Sequence, residues 1–454
     1  MKQLIHNAWV LTFDENWQEF TKGYVYLEDG KIIDVGENNE KLEAYQRIAD
    51  KIVDAKGRWL MPGLINGHTH LFQTFMRGLD DNKRLRQWLF EEIYPICNVM
   101  EEEDMYLSSL LGCIENLKNG ATTVLDQNYI HTSKKNSDNV LRAMEETGIR
   151  GVYCRTFADK LPLPSQKPLV ESSQVIFEEL NRLKSIWHGK DDGRLQLALG
   201  PSSPWGSTPE LISSSYAYAE ENDLMYQIHT AENERVVQDS LDAYGMRNIP
   251  FLHSIGALGK KSQLAHAVDL EEDEILLVQK TGAMIVHNPV SNMYLASGVA
   301  PVPRYRELGI PVALGTDGPG SNNNQDMIEV LKTTTLLHRI HTKDAAIISP
   351  QNIIRMATYE GGQVILNRND VGMLKVGFKG DMLLVNWKRA HIAPVHSAIS
   401  GLIFNANGND VDCVWVDGKM VVEEKKICNI DESSLIEACQ DRALYLRKRA
   451  KGLQ

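Results

Sequence analysis

Eight short apolar runs lie in the middle of the chain, and five of their ends carry or adjoin His or Asp. The runs are 64–66, 123–126, 151–155, 195–199, 225–229, 262–266, 283–287 and 312–317. Helical patterns lie between them, among them Glu102–Lys118, Asn139–Thr147, Gln174–Ile186, Pro209–Asn222 and Glu271–Gln279. Apolar runs alternating with helices predict βα units and a parallel sheet. Eight such units over roughly 300 residues predict a (β/α)₈ TIM barrel, a fold whose catalytic side chains come from the C-terminal ends of its strands.

The two ends of the chain read differently. Trp9–Thr12 and Tyr24–Leu27 are candidate strands, and Asp29-Gly30 is a hairpin signal. The same pattern returns at Asp381–Val385, Cys413–Val416 and Met420–Val422. This predicts a small β-sandwich domain assembled from 1–57 and 371–454, with a C-terminal helix, around a barrel of 58–370. A chain of 454 residues suits a large barrel plus a smaller domain.

His68-Thr69-His70 follows a run that stops in Asn66-Gly67. Residues two apart on extended backbone point the same way, so both imidazoles can reach one ion, and Gly67 would let the chain turn tightly beside them. His-x-His alone is a weak signal. It gains weight from His229, at another strand end with Glu232 three residues on, from His266, and from Asp317 after the last run. Imidazole nitrogen and carboxylate oxygen with a position left open describe a catalytic zinc site.

Composition excludes other classes. Formal net charge is −12, with 60 acidic against 48 basic residues and no basic stripe, so nucleic acid is not an expected partner. The basic cluster from Arg442 to Lys451 reads as a solvated helix end. No apolar stretch is long enough to span a bilayer, and the N-terminus lacks a signal-peptide core. The six cysteines show no CxxC spacing and read as free thiols. The expectation is a cytoplasmic protein acting on a small molecule.

The run Met61-Pro62-Gly63-Leu64-Ile65-Asn66-Gly67-His68-Thr69-His70 resembles the amidohydrolase superfamily. His229-Thr230-Ala231-Glu232, Val286-His287-Asn288-Pro289 and Gly315-Thr316-Asp317-Gly318-Pro319-Gly320-Ser321-Asn322 are similar to its cytosine-deaminase-like branch. His70-Leu71-Phe72-Gln73, Trp88-Leu89-Phe90 and Ser297–Pro303 resemble the triazine hydrolases of that branch. The resemblance covers nearly the whole chain. It implies one divalent ion, zinc or else iron, on His68, His70, His229 and Asp317. Glu232 would shuttle protons, Asp317 would also accept the proton of the attacking water, and His266 would polarise that water. His287 takes no settled role from the resemblance and stands, with Gln73, Trp88 and Arg155, as a candidate substrate contact. A homodimer or larger assembly of one chain is also expected by analogy.

These parts suit hydrolytic deamination of a nitrogen heterocycle (purine, pterin, pyrimidine or triazine) by hydroxide generated on the metal. They suit displacement of chloride or alkylamine from a triazine equally well. His-Asn-Pro and Gly318 depart from the chlorohydrolase pattern and favour deamination. Adenosine-type members of the branch carry Glu where this chain has Cys97, and His where it has Ser202, which favours a free base over a nucleoside. A catalytically inactive relative acting in binding or assembly would normally have lost ligands, and none is missing here.

Overall fold

The computed structural model describes residues 1–79, 82–160 and 169–452. Among these residues one sheet has eight parallel strands: β1 (Leu64–Thr69), β2 (Ala121–Asn128), β3 (Arg150–Phe157), β4 (Leu195–Pro201), β5 (Met225–Thr230), β6 (Ser262–His266), β7 (Met284–His287) and β8 (Val312–Leu314). Each strand pairs with the next in chain order, as expected of a TIM barrel. The last gap, between β8 and β1, is bridged just past β8, where the Asp317 amide donates to the His68 carbonyl at 2.9 Å. Gly67 permits this approach, because a Cβ there would stand 3.0 Å from the Leu314 carbonyl oxygen and 3.1 Å from Val286. Its role is therefore close packing of strands and not the tight turn expected; it is not among the glycines with positive φ.

Inward residues Ile65, Leu125, Val152, Cys154, Ala198, Val286 and Ala313 form one buried cluster with Val364 and Ile365 of the helix Tyr359–Leu366. A layer of buried amides joins this apolar layer to the histidines. Gln263 donates to the Val364 carbonyl at 2.7 Å, and Gln227 donates to Gln263 and to the Gly67 carbonyl, each at 3.1 Å. The helices between strands start at side-chain caps that satisfy their first amides. Thr208 caps Pro209–Glu221 and Asn233 caps Glu234–Tyr244.

Strands from both chain ends form the second sheet, but as one continuous hydrogen-bonded sheet of nine strands and not two separate ones. Its first strand, Lys2–Leu11, begins seven residues ahead of the run expected at Trp9. Trp59–Pro62, which a boundary at residue 58 gives to the barrel, pairs here with Lys2–Leu11 and Met382–Val385. The C-terminal helix Glu432–Ala450 buries Leu435, Cys439 and Leu446. Its Arg442 pairs with Asp104 at 2.7 Å and its Arg449 with Glu101, so much of the basic cluster is spent on neighbouring acids. No helix among the described residues is long and apolar enough to cross a membrane.

Candidate active site at the barrel mouth

His68 lies on β1 and His70 just beyond it, His229 on β5, His266 at the end of β6, and Asp317 three residues past β8. Their ligand atoms converge. Those of His68, His70 and His229 lie within 4.8 Å of one another, as do those of His68, His266 and Asp317. Asp317 Oδ1 is 3.4 Å from Nε2 of both His68 and His70, and its Oδ2 is 4.0 Å from His266 Nε2. The backbone enters the left-handed region at Ala231 (φ 46°), His266 (71°), Ala267 (45°) and Asp317 (62°). Non-glycine residues take that region at a cost of about 1–3 kcal/mol, and such costs concentrate at functional sites.

All four imidazoles are held the same way. Nδ1 donates to Gln227 Oε1 in His68 (2.7 Å), to the Gln127 carbonyl in His70 (2.5 Å), to the Ser202 carbonyl in His229 (2.6 Å) and to Asn292 Oδ1 in His266 (2.9 Å). Gln227 spends its amide protons on Gly67 and Gln263, which leaves oxygen facing His68. With each proton on Nδ1, each lone pair is left on Nε2. His68 Nε2 is buried with no hydrogen-bond partner among the described residues. Four inward lone pairs beside a carboxylate would be a costly arrangement unless a cation satisfies them, so the residues fit a divalent ion.

The electrostatics agree with that donor set. Burial, with His68 adjacent, lowers the His70 pKa to about 4 and holds His229 well below its ordinary value, so both rings are neutral donors. Glu232 follows β5 and lines the same pocket; burial raises its pKa, which favours a carboxyl able to donate.

The pocket is a small cavity of about 60 Å³. Its walls include the aromatic side chains of Trp88, Tyr94, Tyr129 and Trp205, and its polar groups include Gln73, Ser202 and Ser203. Gln73 donates to Tyr129 Oη and accepts from the Gly320 amide, both at 3.3 Å, which holds its amide across the floor. A wider vestibule continues outward through Leu85, Leu89, Trp205, Val236 and Leu295.

Among the four candidate substrate contacts, Gln73 and Trp88 line this pocket, whereas Arg155 and His287 do not. Arg155 is buried in an ion pair with Glu171 at 2.7 Å and borders a separate polar cavity beside His131 and Arg182. His287 faces the buried His338, with their Nε2 atoms 3.3 Å apart. Both depart from the expectation for the same reason. Val152, Cys154 and Val286 point into the barrel, so by the alternation of a strand Arg155 and His287 point out toward the helices. Tyr94, Tyr129, Trp205 and Ser203 were not anticipated. Tyr129 sits immediately after β2, and that place is the signal that would have found it. Cys97 is fully buried and lies outside the pocket lining, while Ser202 is part of it.

Comparison with known proteins fits this architecture. The family model of the amidohydrolase family matches residues 59–421. The chain belongs to the amidohydrolase family. The 5'-deoxyadenosine deaminase of Methanosarcina acetivorans is 34% identical over 449 residues, covering 99% of both chains. A zinc-bound crystal structure of an adenosine deaminase from Xanthomonas campestris superposes with a TM-score of 0.90 at 26% identity, covering 99% of each chain. A triazine hydrolase variant superposes with a TM-score of 0.90 at 25% identity, covering 97% of this chain and 99% of that one.

Proposed function

We propose that this protein is a metal-dependent aminohydrolase that removes the exocyclic amino group of an aromatic nitrogen heterocycle as ammonia, with a 6-aminopurine as its first candidate substrate. The observation that carries this reading is the meeting, in one aromatic pocket, of four inward imidazole lone pairs, the Asp317 carboxylate and the buried Glu232. Hydrolytic deamination of a heterocycle is the activity of the enzyme. Full-length relatives named for adenine nucleosides support the purine ring over the triazine ring. Triazine hydrolases, at about a quarter identity, support mainly the shared fold.

His68, His70, His229 and Asp317 would hold one divalent ion, zinc by preference for this nitrogen-rich set and iron as the alternative. When bound, such an ion brings the pKa of water from 15.7 to about 7. Asp317 accepts the proton of the attacking water on Oδ2, and His266 Nε2, 4.0 Å from that oxygen, accepts from the same nucleophile. Glu232 donates to the ring nitrogen next to the amino-bearing carbon, which makes that carbon electrophilic. It then takes the proton of the adduct's hydroxyl and passes it to the departing amine; the C–N bond breaks, the oxygen becomes the carbonyl, ammonia leaves, and the proton held on Asp317 restores Glu232.

The walls bear on what the ring carries. Among the described residues that line the pocket, the carboxylates are Glu232 and Asp317, both committed to the chemistry. No further acid is present there to grip a sugar diol, and Trp88, Tyr94, Tyr129 and Trp205 offer apolar faces. This supports a free or alkyl-bearing ring over a ribonucleoside, with any substituent pointing into the vestibule. The relatives' names favour the nucleoside, so the assay must contain both. Ammonia release is to be measured on adenine, an alkyl adenine, 5'-deoxyadenosine, a pterin, cytosine and an aminotriazine, with chloride release on a chlorotriazine. Turnover of an aminopurine supports the reading. Chloride release alone, or no turnover by metal-loaded protein, overturns it.

A further inference from the structure

The run after His287 has no part in the chemistry described so far. The helix Pro289–Tyr294 follows β7 after one residue and brings Ser291 and Asn292 inward on its first turn. Ser291 Oγ donates to Asp317 Oδ2 at 2.6 Å. Asn292 Oδ1 accepts from His266 Nδ1 at 2.9 Å. Consecutive residues of one helical turn thus reach side chains at the ends of β6 and β8, the two neighbours of β7 in the sheet. Ser291 and Asn292 are both buried, and their backbone groups are tied down: the Asn292 amide donates to the Asn288 carbonyl at 3.0 Å, and the Asn292 carbonyl accepts from Ser297 at 2.8 Å.

The two oxygens of Asp317 are held apart in role. Oδ1 accepts from the Gly318 amide at 2.7 Å and faces His68 and His70. Oδ2 accepts from Ser291 and, at 3.0 Å, from Ser321, and faces His266. The terminal torsion of an aspartate is broad, so nothing in the side chain itself fixes the plane of its carboxylate. An imidazole is likewise free to carry its proton on either nitrogen until a partner decides.

We propose that Ser291 and Asn292 are positioning residues: Ser291 fixes the plane of the Asp317 carboxylate, and Asn292 fixes the proton of His266 on Nδ1, so that Oδ2 and Nε2 confront one nucleophile together. This rests on the proposed deaminase reading for its kinetic consequence but not for its geometry. A serine hydroxyl can also turn from donor to acceptor when Oδ2 takes up a proton, which a fixed donor cannot do.

The test uses the full-length protein as Ser291→Ala, Ser291→Thr, Asn292→Leu and Asn292→Asp, with two readouts. One is kcat and KM for ammonia release. The other is the visible absorption of the Co²⁺-substituted protein, which reports the arrangement of donors around the ion without any turnover. Loss of partners that orient ligands costs about ten- to a hundredfold in activity or metal affinity. Ser291→Ala and Asn292→Leu are expected to lower kcat by that factor with KM within about twofold, and to shift the cobalt bands. Ser291→Thr, which keeps the hydroxyl, and Asn292→Asp, which keeps the acceptor, are expected to restore the parent spectrum and most of kcat. Parent-like kcat and spectra in the Ala and Leu variants would overturn the proposal. So would equal losses in the rescuing variants, which would mark a packing role. If the parent protein deaminates nothing, the substrate reading fails while the cobalt spectra still decide the positioning.

Discussion

Asp317 meets His68 twice: its amide donates to the His68 carbonyl at 2.9 Å, and its Oδ1 lies 3.4 Å from His68 Nε2. The first contact bridges the last gap of the barrel and the second assembles the candidate site. Fold closure and donor geometry are thus one event, and the left-handed backbone at Asp317 is where both are held.

Glu232 is the proton carrier of the proposed reaction and none of the proposed ligands. Replacing it with Gln keeps the volume and removes the exchangeable proton. Metal content is expected to stay at the parent level while kcat falls by about 10²–10⁴, the usual worth of a general acid–base group. A rate within about tenfold of the parent would remove Glu232 from the mechanism.

His229→Ala takes away a donor, not an orienting partner. Binding of the divalent ion is expected to weaken by more than about a hundredfold, beyond the usual loss from an outer partner. Metal analysis after dialysis against a weak chelator checks it. Retention of one ion per chain would exclude His229 from the site.

Trp88 covers the pocket, and its replacement by Ala removes one aromatic face from the bound ring. Such faces contribute about 0.5–1.5 kcal/mol. KM is expected to rise up to about tenfold with kcat changing less; a fall in kcat at constant KM would contradict a covering role.

The buried pair His287 and His338 makes an acid-sensitive point away from the chemistry. Burial lowers the His338 pKa to about 4 from an ordinary 6.5, and holds His287 well below its ordinary value. Between those limits the unfolded chain binds the proton and the folded chain does not, so stability falls as pH drops from 6.5 toward 4, by up to about 1.4 kcal/mol per pH unit for each such group. Melting temperature is expected to drop between pH 7 and pH 5, and less steeply in His338→Gln. An equal drop in parent and variant would show that this pair is not responsible.

How much of this was readable from residues alone depends on which periodicity carried the signal. The eight strands were legible because each contains a short apolar run, and His68, His70, His229, His266 and Asp317 stand at or just past the ends of four of them. Arg155 and His287 also stand at strand ends, yet their parity with Tyr153 and Ile285 sends them outward, while Val152 and Val286 turn in. By parity with Leu264, His266 would also point outward; its φ of 71° redirects it, and no sequence period encodes that angle. The single nine-stranded sheet was hidden for another reason. Its pairings join residues more than 300 apart, such as Leu383 with Met61, and local patterns carry no register over that distance.

The central claim is that these imidazoles and Asp317 share one cation, and zinc K-edge X-ray absorption on the zinc-reconstituted protein tests it most directly. The account predicts one tightly held ion per chain with nitrogen and oxygen neighbours at about 2.0–2.2 Å and the outer-shell scattering of several imidazoles. A shell of oxygen alone, sulfur at about 2.3 Å, or no retained zinc would contradict it.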